Sequence, residues 1–185
     1  VEALRAVVGS SSATQIDTIL FDIRLPRILL AIFVGAVLAS TGAVMQGLFR
    51  NPLADPSLIG VSSGASVGAS LMIVTAGGFI QGSALVGLSL VSIGAFVGGF
   101  TASLLVYRLA TSGMGTSVTT MLLAGIAIGA LAGALNSLLS YFSDNDMLRQ
   151  ISLWQMGNLS GASWLKVSIM GVVAILLMGL FPRDS

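Results

Sequence analysis

The chain has 185 residues, of which 55% are hydrophobic and only 8% charged, and its formal net charge is +1. Ordinary soluble domains carry roughly 25% charged residues, so this composition excludes a water-soluble globular surface. The small net charge and the lack of a Lys/Arg-rich tract exclude a basic surface for nucleic acid. Because Cys and His are both absent, disulfides, zinc sites and catalytic groups that need either residue are excluded as well.

The first 23 residues predict a helix at the membrane surface rather than a span. Apolar residues recur at helical spacing from Ile16 to Ile23, with Asp17 and Asp22 between them. The chain opens at Val1 without the charged and apolar regions of a signal peptide, and we expect that an upstream span is not included.

The first predicted span runs from Ile28 to Phe49. Its uncharged residues cover about 33 Å at a rise of 1.5 Å per residue, enough to cross a bilayer. Pro26 suits the first helical turn, where a missing N–H is harmless. Pro52 and Pro56 lie just beyond the span and predict a tight reversal of the chain.

Four further spans complete a predicted all-α bundle of about five transmembrane helices. The uncharged stretch 57–107 predicts spans at 58–75 and 83–107, with the turn at Ala76-Gly77-Gly78 and Gln81-Gly82. A polar loop at 111–117 precedes a span at 118–141. A short interfacial helix at 147–156, stopped by Gly157, leads to a last span that is anchored by Trp164 and Lys166 and runs to Phe181.

Small residues recur at every fourth position in three of these spans. Such stripes allow close approach of helix backbones, and they predict a compact bundle rather than a pore. The predicted packing residues are Gly35, Ala39, Ala43 and Gly47 in the first span, Gly60, Gly64 and Gly68 in the second, and Gly125, Gly129 and Gly133 in the fourth.

Chemically active groups are scarce within the predicted spans. No span carries a charged side chain, which argues against a proton- or ion-coupled transporter. Gln46 and Asn136 are the main polar groups inside spans, and we expect them to form interhelical hydrogen bonds. The serines have no base beside them, and the single lysine, Lys166, is not in a phosphate-binding loop. No catalytic residue, cofactor or metal site is therefore predicted.

Three segments resemble one membrane-protein family in sequence and in order. They are RLPRILLAIFVGAVLASTGAVMQGLFRNPLADPSLIGVSSGAS from Arg24 to Ser66, then MLLAGIAIGALAGALNSLLSYF and LRQISLWQMGNLSGASW. The likeness is to the FecCD-type permeases of ABC importers, which serve iron-siderophore complexes, haem and vitamin B12. It covers nearly the whole chain, and residues 1–185 would form a single transmembrane permease domain.

The resemblance implies a multi-pass protein of the bacterial inner membrane, about ten spans long when whole. By this likeness the chain lacks the first span and the last four, and the coupling loop would begin just after Ser185. The implied partners are a second permease copy, cytoplasmic ABC ATPase subunits, a periplasmic or lipid-anchored substrate-binding protein and membrane lipid. ATP hydrolysis would take place on the partner, so the permease itself would not be an enzyme.

The resemblance also implies sites. Asn51 and Leu53 match positions that close the cytoplasmic end of the pathway, and Ser117 and Thr119 match a second gate element; a plain loop and a helix start are the simpler interpretations. Arg24 and Arg27 match residues that dock the binding protein, although arginines at span ends also serve as interfacial anchors.

Orientation by charge conflicts with the topology that the resemblance implies. Five basic residues would lie outside and three inside, against the positive-inside rule, and docking of a partner would account for the excess. The outside residues are Arg5, Arg24, Arg27, Arg149 and Lys166, and the inside ones are Arg50, Arg108 and Arg183.

The function predicted from the sequence is transport of a bulky iron chelate, haem or cobalamin, with a preference for haem. A secondary transporter and a noncatalytic membrane scaffold remain the alternatives from other classes. The first predicts uptake that depends on an ion gradient, and the second predicts no uptake.

Overall fold

The computed structural model describes residues 17–80, 84–112 and 115–180, and most of them are helical. The elements, in chain order, are a π-helical segment (Thr18–Arg24), α1 (Leu25–Phe49), a 3-10 helix (Pro56–Ile59), α2 (Val61–Ile80), α3 (Ala84–Ala110), β1 (Thr111–Ser112), β2 (Gly115–Thr116), α4 (Val118–Tyr141), α5 (Asn145–Met156) and α6 (Trp164–Leu180). The predicted all-α bundle is confirmed.

The segment before α1 differs from the predicted surface helix. Thr18–Arg24 is π-helical and continues into α1, so that 32 residues from Thr18 to Phe49 form one helical run. The N–H of Leu25 donates to the carbonyl of Leu20, and Pro26, which has no N–H to donate, is buried in the next position. A wider turn is a common way to accommodate such an interruption of the hydrogen-bond ladder. Residues 1–16, the rest of that prediction, lie outside the described residues.

The turn predicted at Ala76-Gly77-Gly78 is wrong, because α2 continues to Ile80 and α3 begins at Ala84. Inside a bilayer each backbone N–H and C=O needs a protein partner, and helical hydrogen bonds supply one even where glycine propensity is poor. Residues 81–83, which include Gln81 and Gly82, lie outside the described residues.

Glycines bring α2 and α3 into direct backbone contact. A Cβ added to Gly94 would lie 2.7 Å from the carbonyl oxygen of Gly68, and one added to Gly64 would collide with the carbonyl of Gly98. Real Cβ atoms do not approach a carbonyl oxygen so closely, so this crossing requires glycine. Close backbone approach of this kind is the usual way to associate helices within lipid.

The loop predicted at 111–117 contains a small antiparallel pairing. Thr111 pairs with Thr116, and Ser112 pairs with Gly115. The hydroxyls of Thr111 and Thr116 are 3.0 Å apart, and the N–H of Ser117 donates to the carbonyl of Ala110 at 2.9 Å. The connection between α3 and α4 is therefore a closed corner rather than an irregular loop.

The chain divides into two compact units, Val1–Val44 with Asn158–Ser185 and Met45–Gly157. In the first, a Cβ added to Gly171 of α6 would lie 3.4 Å from the ring of Phe33 in α1. The second holds two apolar clusters. Ala69, Ile73, Val91 and Ile151 form one, and Val106, Ala110 and Met121 form the other, with Phe49 and Ile59 packed against it.

Three helical runs among the described residues are long and apolar enough to cross a membrane: Thr18–Phe49, Ser89–Ala110 and Val118–Tyr141. The apolar stretches Val61–Ala76 and Trp164–Leu177 are shorter. The five apolar helices therefore match the predicted spans in order. Large side chains are exposed along them, as expected where lipid or another hydrophobic partner takes the place of water. Examples are Ile32, Phe96, Leu123, Ile126 and Leu131.

Candidate functional site

The candidate gate loop begins where α1 ends, at Arg50. This residue has a φ of 47°, in the left-handed region that glycine usually occupies. Its N–H donates to the carbonyl of Gly47 at 3.3 Å, and the N–H of Asn51 reaches back to the carbonyl of Gln46 at 3.1 Å. These two bonds are those of a Schellman motif, which ends the helix and turns the chain sharply.

Asn51 organises the turn that follows. Its side-chain oxygen accepts a hydrogen bond from the N–H of Leu53 at 2.9 Å, and its backbone carbonyl accepts from the N–H of Ala54 at 3.1 Å. Pro52 stands between them, where its fixed φ suits the turn. Leu53 is thus placed at the tip of a backbone-stabilised turn, and its side chain is 85% exposed.

Asp55 closes the loop by capping the 3-10 helix. Its carboxylate accepts a hydrogen bond from the N–H of Ser57 at 2.8 Å. Hydrogen bonds from the hydroxyl of Ser57 and then from its N–H hold the pKa of Asp55 below its ordinary value of 3.8, because both stabilise the charged form. Gly60, with a φ of 74°, ends the 3-10 helix, so that α2 can start in a new direction.

The second candidate gate element forms the start of α4. Ser117 is the N-cap: its side-chain oxygen accepts from the N–H of Thr120 at 3.3 Å, and the hydroxyl of Thr120 lies 3.0 Å away. Thr119 is exposed in the first turn. Ser117 therefore has the structural role of a helix cap, whether or not it also acts in a gate.

The structure brings the two candidate gate elements to the same end of the Met45–Gly157 unit. Phe49 and Ile59, which flank the first loop, pack against the cluster of Val106, Ala110 and Met121 at the corner that carries the second. Each of the four candidate residues, Asn51, Leu53, Ser117 and Thr119, is exposed at this end.

The candidate docking arginines lie together in the other unit. Arg24 is the last residue of the π-helical segment, and Arg27 is in the first turn of α1. Both side chains are exposed, and Pro26 between them is buried. The two guanidinium groups are therefore available to a partner from one short stretch of helix.

The predicted packing stripes differ in what they contact. A Cβ on Gly125 would collide with the carbonyl oxygen of Leu58, and a Cβ on Gly60 would lie 3.4 Å from Ile128. A Cβ on Gly129 would lie 3.5 Å from the hydroxyl of Ser63. Among the described residues, a Cβ on Gly35, Gly47 or Gly133 would meet no atom within 4 Å, and Ala39 and Ala43 are exposed.

Helices α2, α4 and α5 meet at a polar junction, which the sequence predicted only in part. The side-chain amide of Asn136 in α4 donates to the hydroxyl oxygen of Ser66 in α2 at 3.0 Å, which confirms the expected interhelical bond. Gln155 of α5 donates to the same oxygen at 3.2 Å. Ser66 and Gln155 are far apart in the sequence, and no local pattern marks them as neighbours. Gln46, the other polar residue expected to bridge helices, is exposed.

Comparison with known proteins decides the family. The model of the FecCD transport family matches residues 2–182, nearly the whole chain. The chain belongs to the FecCD transport family. The resemblance seen in the gate loop and in the two later segments is thereby confirmed.

Individual FecCD relatives and a solved structure agree with this. The chain is 45% identical over 162 residues to the hemin transport system permease protein HmuU of Yersinia pestis, covering 88% of this chain and 47% of that protein. It is 44% identical to the cobalamin import permease BtuC of Halobacterium salinarum, over 80% of this chain and 38% of that one. A solved metal-chelate type ABC transporter in an inward-facing conformation matches with a TM-score of 0.73 and 35% identity, over 94% of this chain and 55% of that one.

The chain thus spans about half the length of the FecCD relatives that it matches. The FecCD family consists of transport permeases, not enzymes, and its members are multi-pass inner-membrane proteins. This agrees with the uncharged apolar helices of the fold and with the predicted location in the inner membrane.

Proposed function

We propose that this chain is the membrane-spanning part of an ABC importer permease that moves haem across the inner membrane. The observation that carries the proposal is the 45% identity over 162 residues to a hemin transport permease. Relatives named for cobalamin are nearly as similar, at 44% and 41%. The proposed substrate class is therefore a bulky metal chelate, with haem as our choice within it and cobalamin and iron-siderophore complexes as the competing substrates.

The energy for transport comes from ATP hydrolysis on a separate cytoplasmic subunit. The charged residues of α1, α3 and α6, which are Arg27, Arg108 and Lys166, lie in a first or last turn, so none stands in mid-helix where it could couple transport to a proton or ion gradient. A second permease copy completes the pathway, and a substrate-binding protein delivers the chelate. The exposed apolar side chains along α4 support contact with lipid or with a second permease copy.

The loop at Asn51 and Leu53 and the corner at Ser117 and Thr119 form the cytoplasmic gate. Two features support this role. Both elements lie at one end of the same unit, and Leu53 projects from a turn that Asn51 holds by two hydrogen bonds. An apolar side chain on a rigid support can block a pathway without a large change in the backbone.

Arg24 and Arg27 form part of the docking site for the binding protein. Their exposure on one short stretch of helix supports this, and guanidinium groups bind carboxylates bidentately, which lysine does less well. The bound partner would offer acidic residues to this surface.

Uptake into proteoliposomes tests the proposal. The intact permease, its ATPase and its binding protein are reconstituted together, and accumulation of haem, cobalamin and a ferric siderophore is measured with and without ATP. We expect ATP-dependent accumulation of haem. Preference for cobalamin or the siderophore would overturn the choice of haem but keep the class. Uptake that follows an ion gradient, or no uptake of any chelate, would overturn the proposal itself.

A further inference from the structure

The junction of Ser66, Asn136 and Gln155 contains an imbalance of hydrogen-bond donors and acceptors. The hydroxyl oxygen of Ser66 accepts from both amide groups, at 3.0 Å from Asn136 and 3.2 Å from Gln155. A hydroxyl oxygen has two lone pairs, so these two bonds occupy its whole capacity as an acceptor. The side-chain oxygen of Asn136 is buried and has no partner among the described residues. One acceptor is therefore fully used, while another beside it is idle.

The two acceptors, the hydroxyl oxygen of Ser66 and the side-chain oxygen of Asn136, are neighbours in the same junction. Both amide nitrogens lie within hydrogen-bonding distance of the Ser66 oxygen, and the idle oxygen belongs to the same amide group as one of them. A buried acceptor without a partner is unfavourable, so a donor that moves to it gains a bond as it leaves another. Gln155 has the longer side chain and is exposed, which makes it the group free to move.

Helix α5 contacts the rest of the Met45–Gly157 unit at two places, one apolar and one polar. Ile151 is 4% exposed within an apolar cluster with Ala69, Ile73 and Val91, and Met147 packs against the same cluster. Gln155 lies one turn further along and, among the described residues, is held by a hydrogen bond to Ser66. A shift of that last turn changes the polar bond and leaves the apolar attachment in place.

We propose that Ser66 and Asn136 are alternative acceptors for the side chain of Gln155, and that α5 accordingly occupies two positions on α2 and α4. In the position seen here, Gln155 donates to Ser66. In the other, it donates to the side-chain oxygen of Asn136, and the C-terminal turn of α5 shifts around Ile151. Ser66, Asn136 and Gln155 are positioning residues: they set where α5 lies and do not contact a transported molecule to do so.

If Ser66 and Asn136 are alternative acceptors, substituting both should loosen α5 by more than the two single substitutions combined. With Ser66→Ala alone, Gln155 transfers to Asn136 and α5 stays attached. With Asn136→Leu alone, Gln155 keeps its bond to Ser66. Only the double variant removes both acceptors. A static junction predicts the opposite, because Ser66→Ala would already break both bonds and the second substitution would add nothing.

Amide hydrogen exchange of residues 145–156, measured on the intact permease in nanodiscs, tests the proposal. Each single variant should raise the exchange rate by less than about five-fold, the equivalent of one hydrogen bond. The double variant should exceed the product of the two single effects, and Gln155→Leu alone should match it. Ser66→Thr, which keeps the hydroxyl, should restore the native rate.

Two matched controls separate this coupling from a general loss of packing. Ser137→Ala in α4 and Ser152→Ala in α5 each remove a hydroxyl that, within the described part of the chain, bonds to a carbonyl of its own helix, that of Gly133 or Leu148. When either control substitution is added, the coupling between the Ser66 and Asn136 substitutions should be unchanged. Asn136→Ala is measured beside Asn136→Leu, so that a packing defect of one variant does not decide the result. A double-variant effect equal to or below the product of the single effects would overturn the proposal.

Discussion

Gly125 of α4 lies directly against the carbonyl oxygen of Leu58, so that a helix rests on the backbone of the 3-10 turn with no side chain between them. A Cβ at this position would collide with a backbone atom that cannot rotate away. We expect Gly125→Ala to lower the free energy of unfolding by about 1–3 kcal/mol, the usual range for forcing extra volume into a packed site. The midpoint of thermal unfolding in detergent measures the effect.

Gly133→Ala on the same helix is the control for that substitution. An added Cβ there meets no described atom within 4 Å, and alanine favours helix by about 1 kcal/mol over glycine in host peptides. Its unfolding midpoint should be unchanged or higher. Equal destabilisation by both substitutions would contradict the contact with Leu58.

The contact between Gly68 and Gly94 yields a second prediction, which uses the lack of cysteine in the chain. Ala69 and Val91 share one apolar cluster across the α2–α3 crossing, and cysteines placed at these two positions should be joined by a short bifunctional thiol crosslinker. Gly68→Ala should slow that reaction because it pushes the helix backbones apart. Gly35→Ala, in open space on α1, should leave the rate unchanged. A Gly68 variant that crosslinks at the native rate would refute this account of the crossing.

Leu53 tests the proposed gate. Because its side chain is 85% exposed, its loss should leave stability nearly unchanged and affect only what it blocks. Leu53→Gly should raise the leak of a small fluorescent solute from proteoliposomes without ATP, whereas Leu53→Met, which keeps the bulk, should not. If both variants leak no more than the native protein, Leu53 is not a gate.

Arg24 and Arg27 test the proposed docking surface. Charged pairs at the rim of an interface act mainly on association rate and its dependence on salt. The double change to Ala should slow association of the binding protein with the permease in nanodiscs and flatten the response to salt. Lys at both positions should restore the salt response in part, because charge remains without bidentate geometry. Simple interfacial anchoring predicts lower expression with unaltered binding kinetics.

Asp55 gives the loop a dependence on acid. Its pKa in the folded loop lies below 3.8, so its cap to Ser57 is fully present above that value and is lost as the pH falls through the lower, folded pKa. Amide exchange at Ser57 should therefore show a loop that is stable above pH 3.8 and opens as the pH falls further, through the lowered pKa of Asp55. Ser57→Ala removes the hydroxyl bond and should move the pKa of Asp55 back towards its ordinary value. An unchanged acid midpoint in that variant would show that Ser57 does not lower the pKa.

Much of the fold could be predicted from the distribution of charge along the sequence. Each prediction that was wrong has a local physical reason. The run from Ile28 to Phe49 lies inside α1, and Gly157, with a φ of 75°, ends α5 as expected. The turn predicted at Ala76-Gly77-Gly78 was wrong because the rule that glycine marks turns holds in water. Within a bilayer the backbone has no water to bond, and glycine is common inside helices. The pairing of Thr111 with Thr116 is too short to leave a periodic pattern.

The sites depend on long-range contacts, and the sequence reveals these unevenly. Gly94 and Gly98 stand at the same four-residue spacing as the other stripes, so the sequence does mark the α3 side of this crossing. The stripe from Gly35 to Gly47 has the same spacing, yet Gly35 and Gly47 have open space at the Cβ position among the described residues. Spacing shows that a close approach is possible, and only the tertiary structure shows which partner makes it. No pattern in the sequence predicts the hydrogen bond between Ser66 and Gln155.

The closed corner between α3 and α4 has a mechanical consequence. Thr111 pairs with Thr116, and Ser117 is bonded to Ala110, so that the two helices are joined by a short brace with its own hydrogen bonds. A rotation of one helix is therefore passed on to the other, because the hydrogen-bonded connection between them has little freedom to deform. During any movement of the bundle, α3 and α4 should turn as a single lever, and bending would concentrate at joints that lack such a brace.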